Sequence, residues 1–167
     1  MTDDADGTAG LPVILMVNGR RHAIEVEPRR SLADVLRREL GLTGTRVGCE
    51  LGVCGTCTVL MEGEPVRACI VLAVQADGQE IETVESLAAP DGALGDLQHA
   101  FSECHGLQCG FCTPGFLMLA TDLLRRRAAP GREEIRECLS ANLCRCTGYS
   151  AIVDAVEQAA ARSGSRT

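Results

Sequence analysis

The chain has 167 residues, which allows one large domain or two small ones, and it carries ten cysteines. Its net charge of −7 leaves no basic surface for phosphates, so we expect no nucleic-acid partner. Three phenylalanines and one tyrosine are its only aromatic residues, and two small aliphatic cores would need cofactors or partner subunits for stability.

The first half of the chain is predicted to form strands around one helix. Asn18-Gly19 separates two β-type runs and is a strong hairpin signal. Ser31 is predicted to cap a helix that continues to about Leu40 and ends at Gly41. The pattern indicates a small α+β domain. Its strands are predicted at residues 13–17, 22–27, 57–61, 65–69 and 80–84.

The second half of the chain is predicted to be helical. Thr113-Pro114 is predicted as a cap followed by proline at the first helical position, and this helix runs to about Arg127. Four helices with short links imply a small bundle. The other three contain Leu94, Leu97, Phe101 and Cys104; then Ile135, Cys138 and Leu139; and then residues from Ser150 onward. The predicted domains are 11–84 and 93–162, with a linker near 84–93 and flexible tails at 1–10 and 163–167.

The N-terminus is acidic and has none of the features of a signal peptide. The longest uncharged apolar run, near Phe116 to Ala120, is too short to span a bilayer. We therefore expect a cytoplasmic protein with no membrane span. In that reducing compartment, closely spaced cysteines favour metal binding over disulfides.

A first group of cysteines lies in a glycine-rich loop. Cys49, Cys54 and Cys57 have the C-x4-C-x2-C spacing of plant-type [2Fe–2S] proteins, and Cys69 supplies a fourth thiol. A zinc site also uses four thiolates, but its ligands usually come as paired C-x2-C knuckles, so the spacing favours iron–sulfur. The loop glycines, Gly48, Gly52 and Gly55, are predicted to adopt positive φ and to expose backbone N–H groups to sulfur.

A second group consists of Cys109, Cys112, Cys144 and Cys146. Its C-x2-C pair is common to zinc sites, redox dithiols and clusters, so the group by itself leaves these alternatives open. A thioredoxin-like dithiol would follow a strand, whereas this segment is predicted to be helical. Zinc rarely takes both sulfurs of a C-x-C pair, so a second cluster is favoured. The remaining cysteines, Cys104 and Cys138, lie on apolar helix faces and are predicted to be small core residues.

From residue 13 to residue 160 the chain resembles the small iron–sulfur subunit of the molybdenum hydroxylases, the family that includes xanthine oxidase, aldehyde oxidoreductase and carbon monoxide dehydrogenase. Three motifs in the family's order carry the resemblance. They are Gly48-Cys49-Glu50-x3-Cys54-Gly55-x-Cys57, Gln108-Cys109-Gly110-Phe111-Cys112-Thr113-Pro114-Gly115 and Asn142-Leu143-Cys144-Arg145-Cys146-Thr147-Gly148-Tyr149.

The resemblance implies an α+β fold, in which an N-terminal β-grasp, plant-type ferredoxin-like domain is followed by a C-terminal four-helix domain. Each domain would hold one [2Fe–2S] cluster through four of the eight cysteines. Gln108 and Cys146 would contact the molybdopterin of a large subunit, and the N-terminal cluster would face a medium subunit that binds FAD. The large and medium subunits would be separate polypeptides, assembled with this chain as a dimer of heterotrimers.

The chain is therefore expected to be a non-catalytic electron-transfer subunit of an oxidoreductase, with no residue that transforms a substrate. Two [2Fe–2S] clusters in series would pass electrons stepwise from molybdopterin towards FAD. Two alternatives are a free-standing double-cluster ferredoxin and a zinc-stapled interaction module. The first would leave Gln108 without a purpose, and the second would be colourless.

Overall fold

The computed structural model describes residues 10–164 and combines a mixed β-sheet with helices, as an α+β fold. The predicted flexible tails, 1–10 and 163–167, lie outside the described residues, apart from Gly10 and the backbone of positions 163 and 164. Those two positions belong to the last helix. Flexibility of the tails and the predicted domain limits stay predictions.

Five strands form one sheet in the order β2-β1-β5-β3-β4, in which β1 and β5 are parallel and all other neighbours are antiparallel. The β1–β2 hairpin is confirmed, because Asn18 and Gly19 join the strands with φ of 50° and 73°, as a tight hairpin turn requires. The strands are β1 Leu11–Val17, β2 Arg20–Val26, β3 Thr58–Met61, β4 Glu64–Arg67 and β5 Glu80–Glu82.

The predicted helix after β2 is confirmed, although its second part is wider than an α-helix. Helix α1 spans Leu32–Asp34 and continues as a π-helical turn over Val35–Glu39. The Ser31 hydroxyl caps it by accepting a hydrogen bond from the Asp34 N–H at 3.1 Å. The apolar side of this segment is fully buried in the core of the sheet domain.

Four helices make up the second half: α2 Asp96–Glu103, α3 Thr113–Arg126, α4 Arg132–Leu139 and α5 Ser150–Gly164. Two details of the prediction are wrong. Leu94 precedes α2 and is exposed, because Gly95 is the residue that caps this helix. Cys112, not Thr113, is the N-cap of α3, so proline stands one position later than predicted. Such boundaries are set by backbone turns that composition locates only to within a residue or two.

The structure has one apolar core under the sheet and a second among the helices. The predicted linker region contains a 3-10 turn, Val84–Leu87, and both ends of this turn pack against the helical core. Helix α3 also reaches the sheet, where the Arg125 guanidinium donates two hydrogen bonds to the Glu82 carboxylate at 2.7 and 2.8 Å. Among residues 10–164, none of the helices has the length and apolarity that crossing a bilayer requires.

The two halves meet at the loops that carry their cysteines. The Leu143 N–H donates a hydrogen bond to the Cys54 carbonyl oxygen at 2.9 Å, which joins the two loops directly. Arg67 adds a second link by donating to the Ala141 carbonyl oxygen at 2.6 Å. Asn142 is buried between these contacts. The relative position of the two cysteine groups is therefore held by one backbone hydrogen bond and one from the Arg67 side chain.

This approach is possible only because Gly55 has no side chain. Its φ is 74°, and an added Cβ would lie 1.7 Å from the Asn142 Oδ1. Gly115, at the start of α3, is equally confined, since its Cβ would lie 2.3 Å from the Gly55 carbonyl oxygen. Glycine at these positions is a packing requirement as well as a conformational one.

We expect Gly55→Ala to destabilise the chain by roughly 3 kcal/mol or more, because backbone strain and a clash with Asn142 act together. Gly63→Ala is the matched control. Gly63 has φ of 81° but nothing within 4 Å of an added Cβ, so only the strain of about 1–2 kcal/mol applies. Thermal unfolding followed by circular dichroism measures both. Equal losses of stability in Gly55→Ala and Gly63→Ala would show that the contact between the loops contributes nothing to stability.

Candidate metal centres

The first cysteine group lies where the loop before β3 folds back on itself. Cys49, Cys54 and Cys57 come from this loop, and Cys69 follows β4. Glu50 and Gly52 adopt positive φ, which curls the chain between the first two cysteines. The prediction of positive φ is confirmed for Gly52 and Gly55 but is wrong for Gly48. Gly48 is closely packed, because an added Cβ would lie 3.2 Å from the Thr56 Oγ1 and 3.3 Å from the Cys54 Sγ.

The four thiols of this group interact as two pairs. Cys49 accepts hydrogen bonds from the backbone N–H groups of Cys54 and Leu51, both at 3.4 Å, and these bonds lower its pKa to about 6. Burial raises the pKa of Cys57 to about 12, with a further contribution from a hydrogen bond with the Cys69 thiol. Coulombic repulsion between Cys54 and Cys57 adds to the raised pKa of Cys57.

The second cysteine group joins two loops of the helical half. Cys109 and Cys112 precede α3, and Cys144 and Cys146 lie between α4 and α5. The Tyr149 hydroxyl supports the second loop by accepting a hydrogen bond from the Cys144 N–H at 2.9 Å. Tyr149 can take this position because its backbone has φ of 69° and its ring packs edge-on against Phe116, with 6.1 Å between centroids.

These four thiols also form two pairs. The Cys146 Sγ lies 3.6 Å from the Cys109 Sγ, and that contact is the main reason that the pKa of Cys146 is raised. Burial raises the pKa of Cys112 to about 12, with a further contribution from a hydrogen bond to Cys144. Burial opposes ionisation of Cys144 as well, but hydrogen bonds from the Thr147 hydroxyl and from two backbone N–H groups together lower its pKa.

The arrangement fits a binuclear iron–sulfur cluster at each site. Such a cluster takes four thiolates, two to each iron, and the thiols stand in two adjacent pairs. Backbone N–H groups directed at sulfur are the expected surroundings of such ligands. In the part of the chain that the structure describes, no three His, Cys, Asp or Glu side chains surround a single-ion position. Buried thiols with a pKa near 12 would ionise only when bound to a cation.

The two remaining cysteines lie apart from both groups. Cys104 donates a hydrogen bond to the Gln158 Oε1 at 2.8 Å, and Cys138 lies 3.9 Å from the Leu119 carbonyl oxygen. Both pack against the helical core, in agreement with their predicted role. Burial raises the pKa of each thiol. Gln108, the predicted pterin contact, is exposed beside Cys109.

Several residues around the sites were missed at the level of sequence. Thr147, Tyr149 and Asn142 each contact a cysteine loop. All three belong to the third cysteine motif, but only the cysteines of that motif were assigned a role from the sequence. A hydroxyl or amide two or three residues from a cysteine is a signal that could have identified them. The contact of Asn142 with Thr58 spans 84 residues and has no local signature.

Comparison with known proteins identifies both halves of the chain. Residues 15–88 match the family described as "2Fe-2S iron-sulfur cluster binding domain", and residues 83–157 match "[2Fe-2S] binding domain". The two matches divide the chain close to the predicted linker. Each half is therefore a [2Fe–2S]-binding domain by family.

Full-length relatives agree with this division. The nicotine 6-hydroxylase small subunit of Paenarthrobacter nicotinovorans is 56% identical over 150 residues, which cover 90% of each protein. Subunit beta of the 6-hydroxypseudooxynicotine dehydrogenase complex of the same organism is 59% identical over 86% of this chain and 89% of its own. The solved structure of quinoline 2-oxidoreductase from Pseudomonas putida 86 contains a chain that superimposes with a TM-score of 0.90 at 49% identity, over 96% of this chain and 98% of that one.

These relatives match nearly the whole length of the chain, across both of its cluster-binding domains. They are subunits of multi-subunit hydroxylases and dehydrogenases, which confirms the resemblance that the three cysteine motifs indicated. The chain belongs to the small iron–sulfur subunits of the molybdenum hydroxylases, and it is the electron-transfer subunit of an oxidoreductase complex.

Proposed function

We propose that this chain conducts electrons from the molybdopterin of a large subunit to the FAD of a medium subunit, through a cluster held in each half. A [2Fe–2S] cluster accepts and releases one electron at a time, so two in series divide a two-electron oxidation into single steps. The proposed ligands at the first site are Cys49, Cys54, Cys57 and Cys69. Those at the second site are Cys109, Cys112, Cys144 and Cys146.

The hydrogen bond between the two cysteine loops is the observation that supports this proposal best. The Leu143 N–H donates to the carbonyl oxygen of Cys54, a proposed ligand at the first site. Leu143 is covalently bonded to Cys144, a proposed ligand at the second. A short route of covalent bonds and one hydrogen bond of 2.9 Å therefore joins ligands of the two sites. A conductor needs its two sites within close reach, and a pair of independent structural metal sites does not.

The second site has an exposed edge that suits a contact with the large subunit. Cys109 and Cys146 are exposed, and so are Gln108 beside them and Phe111, which is 44% exposed. Leu143, next to Cys144 in the chain, is a further large apolar side chain that is exposed. Exposed apolar groups around a cluster are typical of a surface that is buried on assembly. We infer that Gln108 and Cys146 face the pterin from this edge.

The first site has a second exposed apolar surface, formed by Leu51, Val53 and Ile70. An added Cβ on Gly52 would touch the Ile70 Cδ1 at 2.8 Å, so the loop and the segment after Cys69 form one continuous patch. We infer that the medium subunit docks here and brings its FAD towards the first site. The two patches belong to different cysteine groups, which is the arrangement that a chain between two partners requires.

We further infer that the sheet half is a β-grasp domain and that the helical half is a four-helix domain. The parallel pairing of β1 with β5 in an otherwise antiparallel sheet, with α1 packed on the sheet core, supports the first assignment. Helices α2 to α5 around one core support the second. A dimer of heterotrimers and a cytoplasmic location remain expectations of the proposal.

The purified complex should contain four irons and four acid-labile sulfides per copy of this chain, because each site offers four thiols in two pairs. Reduction with dithionite should produce two different EPR signals, since the surroundings of the two sites differ. Metal analysis and EPR of the same sample measure both quantities. Two irons per chain in the intact complex, or stoichiometric zinc, would contradict the proposal.

Replacing the two cysteines outside the sites should leave both clusters in place. Cys104→Ala and Cys138→Ala each remove a small, partly buried thiol and should cost about 1 kcal/mol of stability. Cys112→Ser is the matched control and should abolish one EPR signal. The ligand assignment is wrong if either alanine variant loses iron.

Gln108→Ala should slow reduction of the clusters by substrate and leave the iron content unchanged, because an exposed amide that orients a partner's cofactor is not needed to hold iron. Dithionite reduces the clusters directly and should act on the variant as fast as on the unmutated complex. Gln79→Ala removes an amide from the sheet half and serves as the control. Unchanged substrate-dependent reduction in Gln108→Ala, measured by stopped-flow absorption, would remove Gln108 from the proposal.

A further inference from the structure

Two threonine hydroxyls touch cysteine sulfurs, one at each site. The Thr147 Oγ1 lies 3.1 Å from the Cys144 Sγ, and the Thr56 Oγ1 lies 3.3 Å from the Cys54 Sγ. A hydroxyl has one proton and two lone pairs, so it can donate one hydrogen bond only. The direction of that proton decides whether the sulfur meets a donor or a lone pair.

At the second site the proton is directed at sulfur. The Tyr149 N–H donates to the Thr147 Oγ1 at 3.2 Å, which occupies a lone pair and leaves the hydroxyl proton for the Cys144 Sγ. Backbone N–H groups of Thr147 and Cys146 also donate to this sulfur, at 3.4 and 3.5 Å. Cys144 therefore accepts two amide hydrogen bonds and one hydroxyl hydrogen bond.

At the first site the hydroxyl proton has a second acceptor besides sulfur. The Thr56 hydroxyl donates to the Arg46 carbonyl oxygen at 3.1 Å. A carbonyl oxygen can only accept, so the Arg46 carbonyl oxygen competes with an ionised Cys54 for the single hydroxyl proton of Thr56. The Thr56 hydroxyl is therefore shared between two acceptors, whereas the Thr147 hydroxyl is directed at Cys144. Cys49 of the same site accepts amide hydrogen bonds, as Cys144 does, so amide donors are present at both sites and the hydroxyl is what distinguishes Thr147 from Thr56.

We propose that Thr147 is a positioning residue that raises the reduction potential of the cluster at the second site, and that Thr56 has no such effect at the first. This inference rests on the proposed function. One-electron reduction adds one negative charge to a cluster and increases the charge on its thiolates. A hydrogen-bond donor on a thiolate therefore stabilises the reduced form more than the oxidised form.

The test is a redox titration of the intact complex, in which the two EPR signals are followed separately. Cys112→Ser identifies the signal of the second site by its loss. Thr147→Val keeps the shape of the side chain and removes the hydroxyl. At a fixed potential it should lower the ratio of reduced to oxidised second cluster roughly threefold to tenfold, or about 30 to 60 mV for a one-electron couple.

Two control variants separate the hydroxyl from other effects. Thr147→Ser keeps the hydroxyl, so the potential of its second cluster should equal that of the unmutated complex. Thr56→Val removes the hydroxyl of the first site and should not lower the potential of the first cluster. An unchanged potential of the second cluster in Thr147→Val would overturn the proposal. So would a lowered potential of the second cluster in Thr147→Ser. A fall in the potential of the first cluster in Thr56→Val, equal to that of the second cluster in Thr147→Val, would also overturn it.

Iron analysis distinguishes this inference from the proposed function on which it rests. Four irons with an unshifted potential in Thr147→Val would refute the role of Thr147 alone, whereas two irons in the unmutated complex would refute the two-cluster function.

If Thr147→Val assembles without its second cluster, the hydrogen bond of Thr147 is tested in the unmutated complex instead. After brief transfer to D2O, electron–nuclear double resonance should show loss of a rapidly exchanging hydroxyl proton at the second cluster and none at the first. Loss of such a hydroxyl proton signal at both clusters, or at neither cluster, would contradict the proposal.

Discussion

The hydrogen bond from the Leu143 N–H to the Cys54 carbonyl oxygen is the interaction on which the arrangement of this subunit depends. It joins two loops that come from separate cores, one under a sheet and one among helices. Backbone atoms can approach this closely only where no side chain intervenes, and Gly55 and Gly115 provide that space. The glycines in the cysteine motifs thus serve the contact between the halves as much as the curvature of either loop.

The electrostatics of the two sites follow from this packing. Each site combines a thiol that accepts backbone hydrogen bonds, Cys49 or Cys144, with a thiol whose pKa is raised by burial, Cys57 or Cys112. Bound iron would supply the positive charge that keeps the buried thiols ionised. Exposed apolar side chains lie near both sites, and the docking that we propose would stabilise this acidic chain with few aromatic residues by removing them from water.

Local patterns predicted the elements of the fold well. The Asn18-Gly19 hairpin, the Ser31 cap and the helix beginning at Ser150 depend on residues next to each other in sequence, and all three are confirmed. The cysteine spacings likewise predicted two cluster-binding domains, which the family matches confirm. Contacts between distant residues were not predictable, because no pattern within one loop records its neighbour. The burial of Asn142 and its contact with Thr58, 84 residues away, are of this kind.

We propose that this chain holds two clusters close together across the Cys54–Leu143 hydrogen bond, as a conductor requires. Low-temperature EPR of the fully reduced complex tests it directly, because two nearby paramagnetic clusters split each other's signals and shorten their relaxation times. The signal of the first cluster should be split in the intact complex, and the splitting should vanish in Cys112→Ser, which lacks the second cluster. A first-cluster signal that is identical in both samples would contradict the account.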